Sequence, residues 1–114
     1  MTPMSAPMID AQTFTELQAN AGADFVAELV DTFAEEAPPL LDEMRKAVAD
    51  GAAERFRRAA HSIKSNSSTF GATRLAAMAR ELELNGLASG GDAVEALAQE
   101  LETTLAALQA LARP

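Results

Sequence analysis

Apolar residues recur at steps of three and four along nearly the whole chain, and this periodicity constrains the fold more than any other feature. The longest stripe runs over residues 23–49 and consists of Phe25, Val26, Leu29, Val30, Phe33, Ala37, Leu40, Leu41, Met44 and Val48. Such steps place side chains on one face of a helix, whereas a strand would need two-residue alternation. The segment is predicted to be one long amphipathic helix, with a kink or brief break at Pro38 and Pro39, which lack backbone donors.

The other segments also carry helical signals. Asp10 is the predicted N-cap of a short helix that ends near Gly22, and Gly71 is the predicted stop of a helix over residues 52–69. A fourth helix carries Leu75, Met78, Ala79 and Leu82, and the last carries Val94, Leu97, Leu101, Leu105, Leu108 and Leu111.

The connections complete the predicted architecture. Residues 85–91 are expected to form a flexible loop, after which Asp92 and Glu95 form a capping box that opens the last helix. The sequence thus predicts an all-α fold, an antiparallel four-helix bundle with a short additional N-terminal helix. This domain is predicted over residues 10–112, with a flexible leader at residues 1–9.

Charge and composition exclude several classes of function. The 114 residues contain nine Lys and Arg against 17 Asp and Glu, and the net charge of −8 disfavours binding to nucleic acid or anionic membranes. With no Cys and one His, disulfides, thiolate nucleophiles and multi-histidine metal sites are excluded. No apolar run approaches the ~20 residues of a membrane span, and residues 1–8 lack the features of a signal peptide. We expect a cytoplasmic protein without a metal or cofactor of its own.

The single histidine faces away from the predicted core. In the third helix the core face is defined by Phe56, Ala60, Ile63, Ser67 and Phe70. At about 100° per residue, His61 points to nearly the opposite side, so it is predicted to be exposed. The side chains that share its face are Glu54, Arg57, Arg58, Lys64, Ser65 and Ser68. The cations among them predict a local positive patch on an acidic protein.

This arrangement favours phosphoryl chemistry at His61. A neutral imidazole nitrogen is a good nucleophile toward phosphorus, and Lys64, one turn away, could stabilise the negative charge of an attached phosphoryl group. Ser65 is small enough to leave access for a bulky partner. Other interpretations of these residues stay open. The arginines could instead pair with surface carboxylates, and Lys64 could simply be solvated. The serines of residues 65–68 could form hydrogen bonds back to carbonyls of their own helix. Two other kinds of site fit less well. A di-metal site in a helix bundle needs more than one histidine. A serine–histidine–aspartate triad needs a nucleophilic serine on a sharp, strained turn, and the sequence shows no such turn.

The segment that begins at His61 resembles the signature of histidine-containing phosphotransfer (HPt) domains. In that family the histidine is followed by Lys three positions later, a small residue at four and Gly at ten, and this chain has Lys64, Ser65 and Gly71 there. Many members carry Gly at the position of Ser65. The stretch 81–83 also looks like the family's next helix, and the resemblance extends over roughly residues 10–111.

The resemblance implies a phosphorelay intermediate of two-component signal transduction. His61 would accept a phosphoryl group from the aspartate of one receiver domain and pass it to a second receiver, with Lys64 stabilising charge and Ser65, Ser68, Arg57, Arg58 and Gly71 in supporting roles. Mg²⁺ would belong to the receiver, so the chain would need no cofactor, ATP site or autokinase activity. Expected partners are response-regulator receivers or a hybrid sensor kinase, and the chain is expected to be a monomer. The alternative is a helical adaptor whose surface histidine is incidental.

Overall fold

The structure, a computed structural model, describes residues 8–114. Its α-helices are α1 (Ala11–Ala21), α2 (Ala23–Asp50), α3 (Ala53–Thr69), α4 (Thr73–Asn85) and α5 (Gly90–Ala112), with a 3₁₀ helix at Gly86–Ser89. No strand occurs in the part of the chain that is described, so the predicted all-α class is confirmed.

The helices α2 to α5 form the predicted four-helix bundle, in which α3 contacts α2 and α4, and α5 contacts the same two helices. One core runs through the bundle and takes one stripe from each helix. Its largest fully buried side chains are Phe56, Met44, Ile63, Leu75, Leu97, Leu101 and Leu108. The short α1 packs on α2 as the predicted additional helix. Burial of each apolar stripe is the main stabilising term for helices of this kind.

Of the kink or brief break predicted in α2, the break is wrong, because the helix continues through Pro38 and Pro39. Each proline removes the donor that would bond the carbonyl four residues earlier. Both rings are exposed, whereas Ala37 and Leu41 beside them are buried in the core. The core-facing stripe is thus unbroken at this point, and its burial holds the helix together where two internal hydrogen bonds are lacking.

The start of α5 also differs from the prediction. The expected loop is mostly a 3₁₀ helix that leads directly into α5 at Gly90, and no side chain caps this helix. Asp92 lies inside the first turn. The carboxylate of Glu95 is bound instead by Arg45 of α2, with Nε 2.7 Å from Oε2 and Nη2 2.9 Å from Oε1. A two-point contact with a guanidinium is a stronger interaction than a capping bond, so Glu95 joins α5 to α2.

Two members of the predicted stripes are exposed. Phe25 near the start of α2 is 52% exposed, and Leu111 near the end of α5 is 44% exposed. The neighbouring Val26 and the earlier Leu108 occupy the core positions instead, and both are fully buried. The end of a helix packs against fewer neighbouring helices than its middle. An apolar residue of the stripe can therefore stay exposed to solvent there.

The turn between α3 and α4 is centred on Gly71, which ends α3 as predicted. Its φ is +76°, its N–H donates to the Ser68 carbonyl at 3.1 Å, and the Ala72 N–H donates to the Ser67 carbonyl at 2.9 Å. This pair of bonds is a Schellman motif, which favours glycine at the left-handed position. The ring of Phe70, just before it, stacks on Phe33 with 5.7 Å between centroids.

The start of α1 is held against this turn. Asp10 caps the helix as predicted, since its Oδ1 accepts from the Gln12 N–H at 3.2 Å, and its own N–H donates to the Gly71 carbonyl at 2.7 Å. A Cβ atom at residue 71 would lie 2.8 Å from Thr13 Cβ, so only glycine fits. Residues 1–7 of the predicted leader lie outside the described residues, while Ile9 packs against the core.

Candidate functional site

The exposed face of α3 carries the histidine, as the periodicity predicts. The side chain of His61 is 56% exposed, whereas Phe56, Ala60 and Ile63 on the other face of the same helix are fully buried. His61 therefore makes no contribution to the core, and its ring is open to a partner.

The imidazole is bound by a carboxylate of the next helix. The Nδ1–H of His61 donates to Glu83 Oε2 at 2.9 Å, and the ammonium of Lys64 lies 2.8 Å from the other oxygen, Oε1. One carboxylate of α4 therefore holds two side chains of α3. We call these three residues the His–Glu–Lys cluster.

Local structure explains how the cluster assembles. His61 and Lys64 are three residues apart on α3, so they lie on one side of the helix and one turn apart. Glu83 directly follows Leu82, which is buried in the core, so its carboxylate emerges at the edge of the α3–α4 contact. The tight turn at Gly71 brings α4 back alongside α3.

The carboxylate stays ionised under ordinary conditions. The contact with the Lys64 ammonium and, less strongly, the bond from His61 hold the pKa of Glu83 below its usual value, against the opposing effect of partial burial. Glu83 is 25% exposed and Lys64 28%, so the pair is sheltered but reachable by solvent.

The same contact determines which ring nitrogen is available. An ionised carboxylate can only accept, so the ring proton of the neutral imidazole belongs on Nδ1. Nε2 then carries the lone pair and lies on the side of the ring away from Glu83. A histidine held by a carboxylate in this way presents one oriented nucleophilic nitrogen.

The surroundings of His61 are of mixed charge rather than uniformly positive. The ring lies in a concavity of about 340 Å³ lined by Glu54, Arg57, Arg58, Ser62 and Glu83. Arg57 pairs with Glu54 at 2.7 Å, and Lys64 pairs with Glu83, so two of the three cations of the predicted positive patch are matched by carboxylates. Arg58 is exposed and makes no ion pair within residues 8–114. The sequence prediction counted the cations of α3 but not the carboxylate that α4 brings.

The remaining predicted site residues lie outside the cluster. Ser65 and Ser68 are exposed on α3, one and two turns beyond His61, and Gly71 shapes the turn. The alternative interpretation of the serine run holds for Ser67, whose buried Oγ donates to the Ile63 carbonyl at 2.6 Å. A supporting role of Ser65 and Ser68 in chemistry stays a prediction.

Two residues of the site were not predicted as such, Glu83 and Ser62. The periodicity of α4 shows that Glu83 flanks its core face, next to Leu82, but it does not show which neighbouring helix that flank meets. Ser62 directly follows His61 and lines the same concavity. Within the described residues, no group of three or more His, Asp or Glu side chains is placed to hold a metal ion. None of the helices described is both long and apolar enough to cross a bilayer.

Comparison with known proteins assigns the family. The model of the Hpt domain matches residues 28–111, which include the whole His–Glu–Lys cluster. The chain therefore belongs to the histidine-containing phosphotransfer domain family, and it is a phosphorelay histidine phosphotransfer protein of two-component signalling. Proteins of this family are phosphotransfer carriers that interact with receiver domains and kinases.

A solved structure supports the assignment. The chain is similar to the crystal structure of histidine-containing phosphotransfer protein B (HptB) from Pseudomonas aeruginosa PAO1, with 30% sequence identity and a TM-score of 0.74. The match covers 96% of this chain and 94% of that one. A search of curated protein sequences found no match.

Proposed function

We propose that His61 is the phosphoryl acceptor and that its Nε2 is the attacking atom. The observation that carries this proposal is the 2.9 Å contact of Nδ1 with Glu83, which places the proton of the neutral ring on Nδ1 and the lone pair on Nε2 of an exposed side chain. The donor is the aspartyl phosphate of one receiver domain, and the acceptor of the next step is the aspartate of a second receiver.

The transfer balances with the groups at hand. The Nε2 lone pair forms the N–P bond while the O–P bond of the acyl phosphate breaks, and its electron pair leaves with the receiver's aspartate as a carboxylate. The ring then bears a proton at Nδ1 and a phosphoryl group at Nε2, so it is positively charged. The Glu83 carboxylate lies against Nδ1 and stabilises that charge. The second receiver's aspartate reverses the step by attacking phosphorus and releasing Nε2.

Lys64 is proposed to stabilise the other charge of the reaction. Its ammonium is held by the carboxylate that also binds the histidine, so it lies beside the ring before any partner arrives. Negative charge on the phosphoryl oxygens gives this ammonium a second partner, and the flexible stem lets Lys64 turn toward it. Phosphoryl transfer consists largely of positioning and charge stabilisation, which these few side chains provide.

The rest of the proposal concerns how the protein works in the relay. We propose a monomeric carrier without an ATP site, with Mg²⁺ supplied by the receiver and no cofactor of its own. The net charge of −8 supports a protein rather than a nucleic-acid partner. The proposed partners are receiver domains of response regulators, a hybrid sensor kinase or both, and the proposed location is the cytoplasm.

The experiment is transfer from a labelled receiver. Receiver domains are phosphorylated with ³²P-acetyl phosphate, mixed with the chain, and the acid-labile label on the chain is followed. We expect labelling of the wild type by at least one receiver, and none of the His61→Gln variant. ATP alone should label neither protein. If the His61→Gln variant still accepts acid-labile label, His61 is not the phosphoryl acceptor. If no receiver labels the wild type, the alternative of a helical adaptor is favoured.

A further inference from the structure

A second concavity lies directly beside the site, between α2 and α3. It has a volume of about 460 Å³, and we call it the α2–α3 groove. Glu35, Glu36 and Glu43 line it from α2, Pro39 and Leu40 give it an apolar part, and Ser62 lines it from α3. Because Ser62 also lines the concavity around His61, the two surfaces are continuous.

The carboxylates of the groove differ in their partners. Glu43 lies 3.5 Å from the Arg55 guanidinium, whereas Glu35 and Glu36 are exposed and make no ion pair within the described part of the chain. On the other side of Ser62, the unpaired charge is the cation Arg58. The surface around the histidine therefore carries opposite charges on its two sides.

The geometry of the reaction brings this groove into contact with the partner. An N–P bond can form only when the receiver's phosphoryl group touches His61, so the receiver must cover the surface around the ring. A specific protein interface buries about 800 Å² on each partner, or roughly 20–30 residues a side. A surface that shares Ser62 with the site falls within that area.

On the basis of the proposed function, we propose that the α2–α3 groove binds an Arg or Lys side chain of the receiver domain. The aliphatic stem of such a side chain would lie along Pro39 and Leu40, and its charged head would reach Glu35 and Glu36. Long cationic side chains combine an apolar stem with a charged head, which matches a groove of this composition. The groove thus selects receivers that carry a basic side chain next to their phosphorylated aspartate, and complementary charge of this kind acts mainly on association and partner choice.

The test removes the two carboxylates without touching the cluster. Single-turnover transfer from a phosphorylated receiver is measured against receiver concentration for wild type and Glu35→Gln/Glu36→Gln, at low and at high salt. The matched control is Asp92→Asn/Glu102→Gln, which removes two exposed carboxylates of α5. Circular dichroism is used to check that all three proteins are equally folded.

We expect the groove variant to need about 3–10 times more receiver for half-maximal rate, with the maximal rate unchanged and the salt dependence reduced. The control should behave as the wild type. Equal half-saturation in wild type and groove variant, or a lower maximal rate alone, overturns the proposal. If no receiver labels even the wild type, the proposed function itself fails, which separates the two failures.

Discussion

The two faces of α3 make opposite demands on their residues. One face carries Phe56, Ala60 and Ile63, which are fully buried and stabilise the bundle by removing apolar surface from water. The other carries His61 and Lys64, which are partly exposed and contact a single carboxylate of α4. Adjacent residues therefore have different roles: Ala60 packs in the core, and His61 is presented to solvent.

Stability and chemistry are therefore separable in this helix. The buried face depends on apolar volume, which many sequences could supply. The exposed face depends on three named groups and on the rotation of α4 that brings Glu83 to them. A substitution on one face should therefore leave the property of the other face largely intact.

The largest effect is expected for Phe56→Ala. Removing a fully buried aromatic side chain leaves a cavity and should lower the free energy of unfolding by about 3–5 kcal/mol. His61→Gln, on the exposed face, should change it by no more than about 0.5 kcal/mol. Urea denaturation followed by circular dichroism measures both, and similar losses in the two variants would contradict the separation of the faces.

Gly71→Val should lower the free energy of unfolding by about 2 kcal/mol or more. The left-handed backbone costs a branched residue about 1–2 kcal/mol, and the new Cβ would also meet Thr13 Cβ at 2.8 Å. Gly51→Val is the control, since its φ of +68° is also left-handed but no atom lies within 4 Å of the added Cβ. Thermal unfolding should show the larger loss at residue 71, and equal losses would rule out the contact with α1 as a cause.

Lys64→Ala should slow phosphoryl transfer about tenfold or more, equivalent to ~1.4 kcal/mol of lost stabilisation of the transition state. The unfolding free energy should fall by no more than about 1 kcal/mol, the upper value for a near-surface ion pair such as the one between Lys64 and Glu83. Lys64→Arg should recover part of the rate, since it keeps the charge but changes the donor geometry. Single-turnover transfer measures this, with the exposed Lys46→Ala on α2 as control. Equal rates in all variants would mean that Lys64 serves only as a partner of Glu83.

The smallest effect concerns pH and Glu83. In the folded protein the contact with Lys64 holds the pKa of this carboxyl below its usual value of 4.5, so the ionised form stabilises the fold. That contribution, at most about 1 kcal/mol for an ion pair near the surface, is fully present above the unfolded pKa and disappears as pH falls through the lower folded pKa. The difference in unfolding free energy between wild type and Glu83→Gln should therefore shrink below pH 4.5. If the difference in unfolding free energy between the two proteins grew on acidification, the pKa of Glu83 would be raised by folding rather than lowered.

Much of the fold was predictable because helix signals are local. The bundle and the exposure of His61 follow from spacing along the chain, and the cap at Asp10 and the stop at Gly71 follow from the residue types at those positions. The break at Pro38 and Pro39 was predicted wrongly because local propensity was weighed without the core packing of Ala37 and Leu41. The capping box at Asp92 failed because Arg45, 50 residues before Glu95, binds that carboxylate.

The candidate site divides in the same way. Its α3 residues could be grouped from sequence, because a helix of known pitch determines which side chains share a face. Glu83 could not be placed with His61, since the two are 22 residues apart and meet only across the α3–α4 contact.

The presence of each helix, most of the face that it buries and the outward orientation of His61 follow from the sequence alone, since each depends on the periodicity of one segment. The contacts of Glu83 with both His61 and Lys64, and the acidic α2–α3 groove beside the site, are visible only once the helices are packed together. Contacts between helices depend on how each helix is rotated and shifted against its neighbour. That arrangement results from the packing of the whole core, and no single segment encodes it.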